Sequence, residues 1–284
     1  MELALGTVQF GLPYGIAGRD EPVPEAEARA ILQIAHAGGI RLLDTAAAYG
    51  SIEERLPALC GGLQFRIVSK IPALPVSTDL AAVEKFVADA VRGARRRLGP
   101  SLSCMLFHRA ADLLGPAAES AWRAARDAAR PHDVQLGVSA YDPAEARAVQ
   151  QRFGIDVVQV PANAFDQRLR QEGPLSGVAT HVRSVLLQGL LLMPVAEAAA
   201  RVPAAAEPLA RWHRWCDERG LGTLQAALAL VKGMAAASHV VVGVDSAAQL
   251  ETILDAWHAS APLTAPELAC GNLDVIDPRR WNAV

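Results

Sequence analysis

Cysteine is scarce in this chain: four residues, at positions 60, 104, 216 and 270, with no Cys-x-x-Cys pair among them. That spacing excludes the common dithiol and zinc-ribbon motifs, and without a signal-like N-terminus it leads us to expect a reduced, cytoplasmic setting. A dominant charge of one sign is missing too. The net charge of −3 and a pI near 6.2 leave no electrostatic footprint for a nucleic-acid backbone or an anionic membrane, so neither is an expected partner. The densest basic run, Arg95 to Arg97, falls in a helical pattern and reads as a solvated helix face. The most apolar windows, Ser184 to Val195 and Gly220 to Val231, are shorter than the roughly 18 residues a membrane helix needs. No linker-like stretch divides the chain, and its 284 residues suit one α/β domain spanning 1–284. Gly-x-Gly-x-x-Gly, a Walker loop, His-Glu-x-x-His and Gly-x-Ser-x-Gly are all absent, which removes the usual dinucleotide, phosphate, zinc and serine-hydrolase signatures.

What is present is alternation. Short β-branched or apolar runs at Leu3–Val8, Ile40–Asp44, Phe65–Ile71, Cys104–His108, Val134–Ser139, Asp156–Val160, Val182–Leu187 and His239–Val244 read as strands. Between them, helical patterns occupy Glu25–Ala37, Ser51–Leu59, Leu80–Leu98, Ala117–Ala129, Pro143–Arg152 and Leu169–Thr180. Ala204–Arg219 and Thr223–Ala235 put an extra helix between strands seven and eight, and Ala247–Trp257 follows the last strand. Repeated βα units of this number predict a (β/α)8 TIM barrel, with a doubly wound open sheet as the alternative.

In such a barrel, chemistry sits where strands end at the C-terminal face. The stretch Gly39-Ile-Arg-Leu-Leu-Asp-Thr-Ala-Ala-Ala-Tyr-Gly50 is a short apolar strand that stops at Asp44 and turns through small residues to Tyr49. Strand three ends at Ser69-Lys70, strand four at His108 and strand five at Ser139. An acid, a phenol, an ammonium and an imidazole therefore project from neighbouring units into one mouth. A phenol with an ordinary pKa near ~10 becomes a better acid beside an ammonium, a carboxylate keeps that ammonium charged, and an imidazole can orient a carbonyl oxygen. Lys70 as a Schiff-base nucleophile of a cofactor-free lyase or aldolase is the rival chemistry.

Leu5-Gly-Thr-Val-Gln-Phe-Gly11, the Gly39–Gly50 block with Glu53 beyond it, Ser69-Lys70, Leu106-Phe-His108, Gly137-Val-Ser139, Val158-Gln159 and Val242-Gly243 resemble, in order, the motifs of the aldo-keto reductase superfamily. The resemblance runs from residue 3 to about residue 250. It implies a barrel that binds NADPH or NADH without a Rossmann domain and transfers hydride to an aldehyde or ketone. It further implies Tyr49 as proton donor, Lys70 and Asp44 as the pair that tunes it, and His108 as the carbonyl-orienting residue. Thr7, Ser139, Gln159, Arg183, Gly189 and the segment holding Gly243, Asp245, Ser246 and Gln249 match cofactor-binding positions.

Three departures stand out. Ala140 replaces an asparagine, Arg183 stands where many members stack a tyrosine on the nicotinamide, and Asp245 lies where users of NADPH commonly offer a cation. A carboxylate there repels a ribose 2′-phosphate and accepts from a free 2′-hydroxyl, which leans away from strict NADPH dependence; alternatively, Asp245 only caps the following helix. Arg183 reads as a ring-stacking cation, a contact for an anionic substrate group or a structural ion-pair partner. The family's specificity loops correspond to Phe10–Asp20, Arg109–Pro116, Gly189–Pro203 and Pro262–Val284, where few aromatics favour a polar, sugar-like carbonyl. Tyr14 and Trp281 are candidates to line the pocket. A slowly turning over, nicotinamide-binding regulatory protein with the same fold is the remaining alternative.

Overall fold

The structure, a computed structural model, describes residues 1–77, 79–173, 175–234 and 237–281. The chain runs β1 (Glu2–Gly6), a helical turn α1 (Val8–Gly11), α2 (Glu25–Ala37), β2 (Leu42–Asp44), α3 (Ile52–Cys60), β3 (Arg66–Ile71), α4 (Leu80–Leu98), β4 (Leu102–Phe107) and α5 (Ala118–Ala129). It continues through β5 (Gln135–Ser139), α6 (Pro143–Phe153), β6 (Val157–Pro161), a short α7 (Arg168–Glu172), β7 (Ala179–Arg183), α8 (Val195–Arg201), α9 (Ala206–Asp217), α10 (Thr223–Lys232), β8 (His239–Val242), α11 (Ala247–Ala259) and α12 (Leu273–Ile276). All eight strands pair in parallel and in sequence order, and β8 closes on β1 through Glu2–His239 to Leu5–Val242. This is the (β/α)8 barrel; the open-sheet alternative is set aside by that closure.

Side chains alternate across each strand, so one set points into the barrel and the other toward the helices. The outward set, including Leu5, Leu43, Ile67, Phe107, Val138 and Val158, joins the helices in the main core. A small separate cluster of Ala4, Leu42, Val68, Cys104, Leu106 and Val157 fills the interior. Two residues beyond Leu42 and Val68, on the same inward face, stand Asp44 and Lys70. A second apolar core, with Phe165, Leu190, Trp212, Trp215 and Val275 among its members, is built from α9, α10, the segment after β7 and the C-terminal region. No helix among the described residues is long and apolar enough to cross a membrane.

Most expected elements fall within two residues of those observed, and the seventh unit is the exception. Its helix is only Arg168–Glu172 and not Leu169–Thr180, because Gly173 breaks it at φ 72. Thr180 therefore belongs to β7, which occupies Ala179–Arg183 instead of Val182–Leu187. The apolar run beyond leaves the sheet at Ser184, where Ser184, Leu187 and Gln188 take φ values of 59, 49 and 54. A buried apolar run reads alike as strand or as turn, so periodicity could not separate them. Three helices, α8 to α10, lie between β7 and β8 where two were expected, α8 (Val195–Arg201) being the addition. The expected end of the helix beginning at Thr223, at Ala235, lies outside the described residues, as does the tail beyond Trp281.

The basic run in α4 is not wholly solvated. Arg97 reaches Glu53 of α3 with Nε at 2.9 Å and Nη2 at 2.6 Å from Oε2, and the hydroxyl of Ser69 donates to Glu53 Oε1. The buried Glu53 thereby ties α3 and α4 to the strand that carries Lys70. Replacing Glu53 by Gln removes the ion pair while keeping the shape. We expect a loss of about 2–3 kcal/mol, read as a lower urea midpoint at unchanged slope.

Candidate active site

Lys70 enters the barrel interior with its ammonium 2.6 Å from Asp44 Oδ1 and 2.9 Å from the Thr45 carbonyl. The second carboxylate oxygen of Asp44 accepts from Gln159 Nε2 at 2.6 Å. Lys70 is 2% exposed and Asp44 6%, so neither charge is screened by bulk water. Burial opposes the charge on Lys70, but the carboxylate, first through its field and then through its hydrogen bond, holds the ammonium above its usual range. The β2 end is pinned from the other side, because the Asp44 carbonyl accepts from the Thr7 amide at 2.9 Å and from Thr7 Oγ1 at 3.1 Å.

Beyond β2 the backbone turns at once, with the Tyr49 amide donating to the Ala46 carbonyl at 3.0 Å. This turn packs against α1 so closely that a Cβ on Gly11 would lie 1.9 Å from the Tyr49 carbonyl oxygen; only glycine allows the approach. The Tyr49 ring faces Lys70 Nζ at 5.2 Å from its centroid. His108, the first residue past β4, presents its ring edge-on to Tyr49, with centroids 6.2 Å apart and planes at 82°. Burial first, then the Lys70 charge, pushes the His108 pKa down to about 4, so the imidazole is neutral at neutral pH and can donate from only one nitrogen. Asp44, Tyr49, Lys70 and His108, chosen from three successive strand ends, are thus neighbours.

A cavity of about 510 Å³ opens over this group. Asp44 and Tyr49 reach its wall, as do the expected cofactor residues Thr7, Gln159, Arg183, Gly189, Gly243, Asp245 and Gln249. Ser139 is buried beside Gln159 in the β5–β6 register. Ser246 is spent on the backbone: its hydroxyl accepts from the Gln249 amide at 3.2 Å and caps α11. The capping role considered for Asp245 therefore belongs to Ser246. The Asp245 amide donates to Gln249 Oε1 at 2.7 Å, and burial raises the Asp245 pKa against the opposing charge of Arg19.

The loop after β1 forms one side of the cavity through Tyr14, Gly15, Ala17 and Gly18, opposite Gln188 and Gly189 from the segment after β7. Arg201 donates to the Ile16 carbonyl and joins the two sides. Tyr14 does line the pocket, whereas Trp281 instead sends its indole to the Asp274 carbonyl at 3.0 Å. Gln9, Gln188 and Tyr141 escaped the sequence reading. The signal for Gln9 was available: it sits inside the Leu5–Gly11 motif, and its side chain abuts Gly243, where a Cβ would come within 2.5 Å.

Two buried acceptors on this wall, Gln159 Oε1 and Gln9 Oε1, have no hydrogen-bond partner among the described residues. Buried polar atoms left in this way are satisfied by a ligand or by water. An amide ligand such as a nicotinamide carboxamide fits Gln159 Oε1, because Nε2 of the same side chain is already committed to Asp44.

Solved structures with this architecture were found by comparison. An aldo-keto reductase from Bacillus halodurans in its holo form shares 19% identity at a TM-score of 0.72, covering 98% of this chain and 95% of its own. A glycerol dehydrogenase from Gluconobacter oxydans shares 18% at a TM-score of 0.68, covering 92% and 87%. A putative aldo-keto reductase from Pseudomonas aeruginosa shares 20% at 0.66, covering 90% and 88%. The chain has the aldo-keto reductase fold. No protein-family model and no curated protein matches it by sequence. In this fold the four clustered residues occupy the C-terminal mouth, where barrels carry their chemistry.

His181, deeper in the barrel and 4.7 Å from the His239 ring, is held neutral by burial in the same way, its pKa down at about 4. The unfolded chain takes up protons on such groups near their ordinary 6.5 while the folded chain does not until about 4. Their contribution to stability is therefore full above pH 6.5 and lost as pH falls toward 4. We expect a lower urea midpoint at pH 5 than at pH 7.5, with a smaller difference in His181→Gln; an equal drop in both proteins contradicts the buried neutral state.

Proposed function

We propose that this protein reduces the carbonyl group of a small, polar aldehyde or ketone with a reduced nicotinamide cofactor. The observation that carries the reading is the Tyr49 phenol on a cavity wall, backed by a charged Lys70 and an edge-on neutral His108. A bound reduced nicotinamide supplies a hydride to the carbonyl carbon. The protein supplies the rest. His108 donates a hydrogen bond to the carbonyl oxygen and fixes its direction, and Tyr49 delivers the proton to that oxygen. The Lys70 ammonium stabilises the phenolate left behind, and Asp44 keeps the ammonium in place and charged. Thr7, Gln159 and the Gly243–Gln249 segment hold the cofactor. A Lys70 Schiff base requires a neutral amine, and an ammonium hydrogen-bonded to two oxygens and raised in pKa speaks against it.

The cofactor is NADH or NADPH, and the environment of Asp245 leans toward accepting NADH. A carboxylate at the far end of the cavity, not engaged in capping, repels a 2′-phosphate.

Two measurements test this reading. Consumption of NADH and NADPH with a panel of small aldehydes is expected for the wild type. Tyr49→Phe is expected to bind cofactor with unchanged affinity and to lose reduction by a factor on the order of 10²–10⁴; full activity in that variant removes Tyr49 as the proton donor. For the second, fluorescence titration of Asp245→Ala is expected to tighten NADPH relative to NADH by at least about tenfold, about 1.4 kcal/mol. An unchanged ratio shows that the carboxylate does not face the ribose.

A further inference from the structure

Three acids around the cavity mouth each have their own cation. Asp44 is held by Lys70 at 2.6 Å, Asp166 by Arg168 at 2.7 Å, and Asp277 by Arg279 at 2.6 Å. Arg183 is the cation left over. It lines the cavity with Asp44 and Tyr49, and among the described residues no carboxylate lies within ion-pairing distance of it. Its charge is felt across the mouth: it helps depress the His108 pKa, works against the protonated Lys70 and lowers that of Tyr14. An uncompensated guanidinium in a partly desolvated pocket is costly unless an anion completes it.

The side chain is also held in place. Nη2 donates to the Ala140 carbonyl and Nη1 to Ser184 Oγ, both at 3.2 Å, and the guanidinium carbon lies 4.0 Å from the Tyr141 ring centroid. Arg279 sits on the same ring at 3.5 Å, with its charge answered by Asp277. Two of the donors on Arg183 are thus used for positioning, and the remainder of its five N–H groups are free for a ligand. The chain has only three tyrosines. Burial first, then the neighbouring Tyr49 and Tyr141, shifts the Tyr14 phenol upward, against the opposing charge of Arg183. The mouth therefore combines phenolic hydroxyls with one cation that has no ion-pair partner among the described residues.

We propose that the substrate is an anionic carbonyl compound, an aldehyde or ketone that carries a carboxylate or phosphate, and that Arg183 binds this group. The proposal rests on the carbonyl-reductase reading for the reaction and on Arg183 alone for the charge. A planar guanidinium meets either oxyanion through paired N–H donors. It fixes one end of the substrate and leaves the carbonyl end for Tyr49 and His108.

The test compares matched substrates at saturating cofactor: butanal against 4-oxobutanoate, and glyceraldehyde against glyceraldehyde 3-phosphate. Wild type is expected to show a kcat/KM at least tenfold higher for one anionic member of a pair, and whichever pair shows it identifies the oxyanion. Arg183→Gln is expected to abolish that ratio and Arg183→Lys to retain part of it. A ratio near one in wild type, or one that survives in Arg183→Gln, overturns the proposal. So does a Gln variant whose only defect is weaker cofactor binding, since Arg183 is then a nicotinamide contact. A direct titration keeps the question separate from turnover. Butyrate and glycerol 3-phosphate are measured calorimetrically against the cofactor-loaded protein, with butanamide and glycerol as neutral controls. Anion binding that is lost in Arg183→Gln supports the site even if no aldehyde is reduced, in which case the reductase reading alone fails. Equal binding by wild type and variant sinks the anion site while leaving that reading intact.

Discussion

The 2.6 Å contact between the Lys70 ammonium and the Asp44 carboxylate constrains almost everything above it in the barrel. Moving two charges out of water costs several kcal/mol for each ion, and their attraction offsets this only when the remaining hydrogen-bonding capacity is also met. Here it is met. Asp44 gives one oxygen to Lys70 and the other to Gln159, and Lys70 adds the Thr45 carbonyl. Each of these partners is thereby fixed. Thr45 begins the turn that presents Tyr49, Gln159 is left with one free acceptor facing the cavity, and Thr7 holds the β2 end through the Asp44 carbonyl. The pair contributes less to stability than to position, since replacing it by packed apolar residues would suit a barrel interior equally well. Its value lies in placing a permanent positive charge 5.2 Å from the centre of a phenol ring.

Burial, and behind it the same charge, keeps His108 neutral. An imidazole beside a fixed ammonium, in a desolvated site, cannot hold a second proton near neutrality, and its pKa falls to about 4. A neutral ring can give a hydrogen bond to a carbonyl without competing with Tyr49 to deliver a proton. The phenol ring and the neutral imidazole thus face the same buried ammonium.

The parts of this arrangement that depend on strand periodicity were visible in the sequence. Residues two apart on a strand share a face, so Leu42 with Asp44 and Val68 with Lys70 could be assigned to the interior, and the strand ends pointed to Tyr49 and His108. Helix limits set by capping chemistry were equally legible: Asp142 and Pro143 start α6, with the Asp142 carboxylate accepting from the Ala144 amide at 2.9 Å. What could not be read was anything set by long-range approach. Glu53 was legible as part of the motif that follows Gly50, but not its burial or its bond to Arg97, 44 positions away. Tyr141 carries no local signal, because its two guanidinium neighbours come from β7 and from the C-terminal region. The seventh unit misled for a different reason. The chain there turns through positive φ at Ser184, Leu187 and Gln188, a conformation that residues without glycine's freedom rarely adopt. Such strain is sustained by its surroundings, here the fully buried Leu187 and the loop that brings Ala17 against Gly189.

That strained turn links the two ends of the cavity. It begins directly after Arg183 and ends at Gly189, so the backbone that fixes the mouth cation also forms the wall opposite Tyr14 and Gly15. The far end, at Asp245 and Gln249, carries the opposite charge. The cavity wall thus carries a carboxylate beside the start of α11 and a guanidinium at the end of β7, while the charge of Asp44 is already paired with Lys70. Under the proposed reading, a molecule with a negative group near its reactive carbon is attracted by Arg183 and repelled by Asp245.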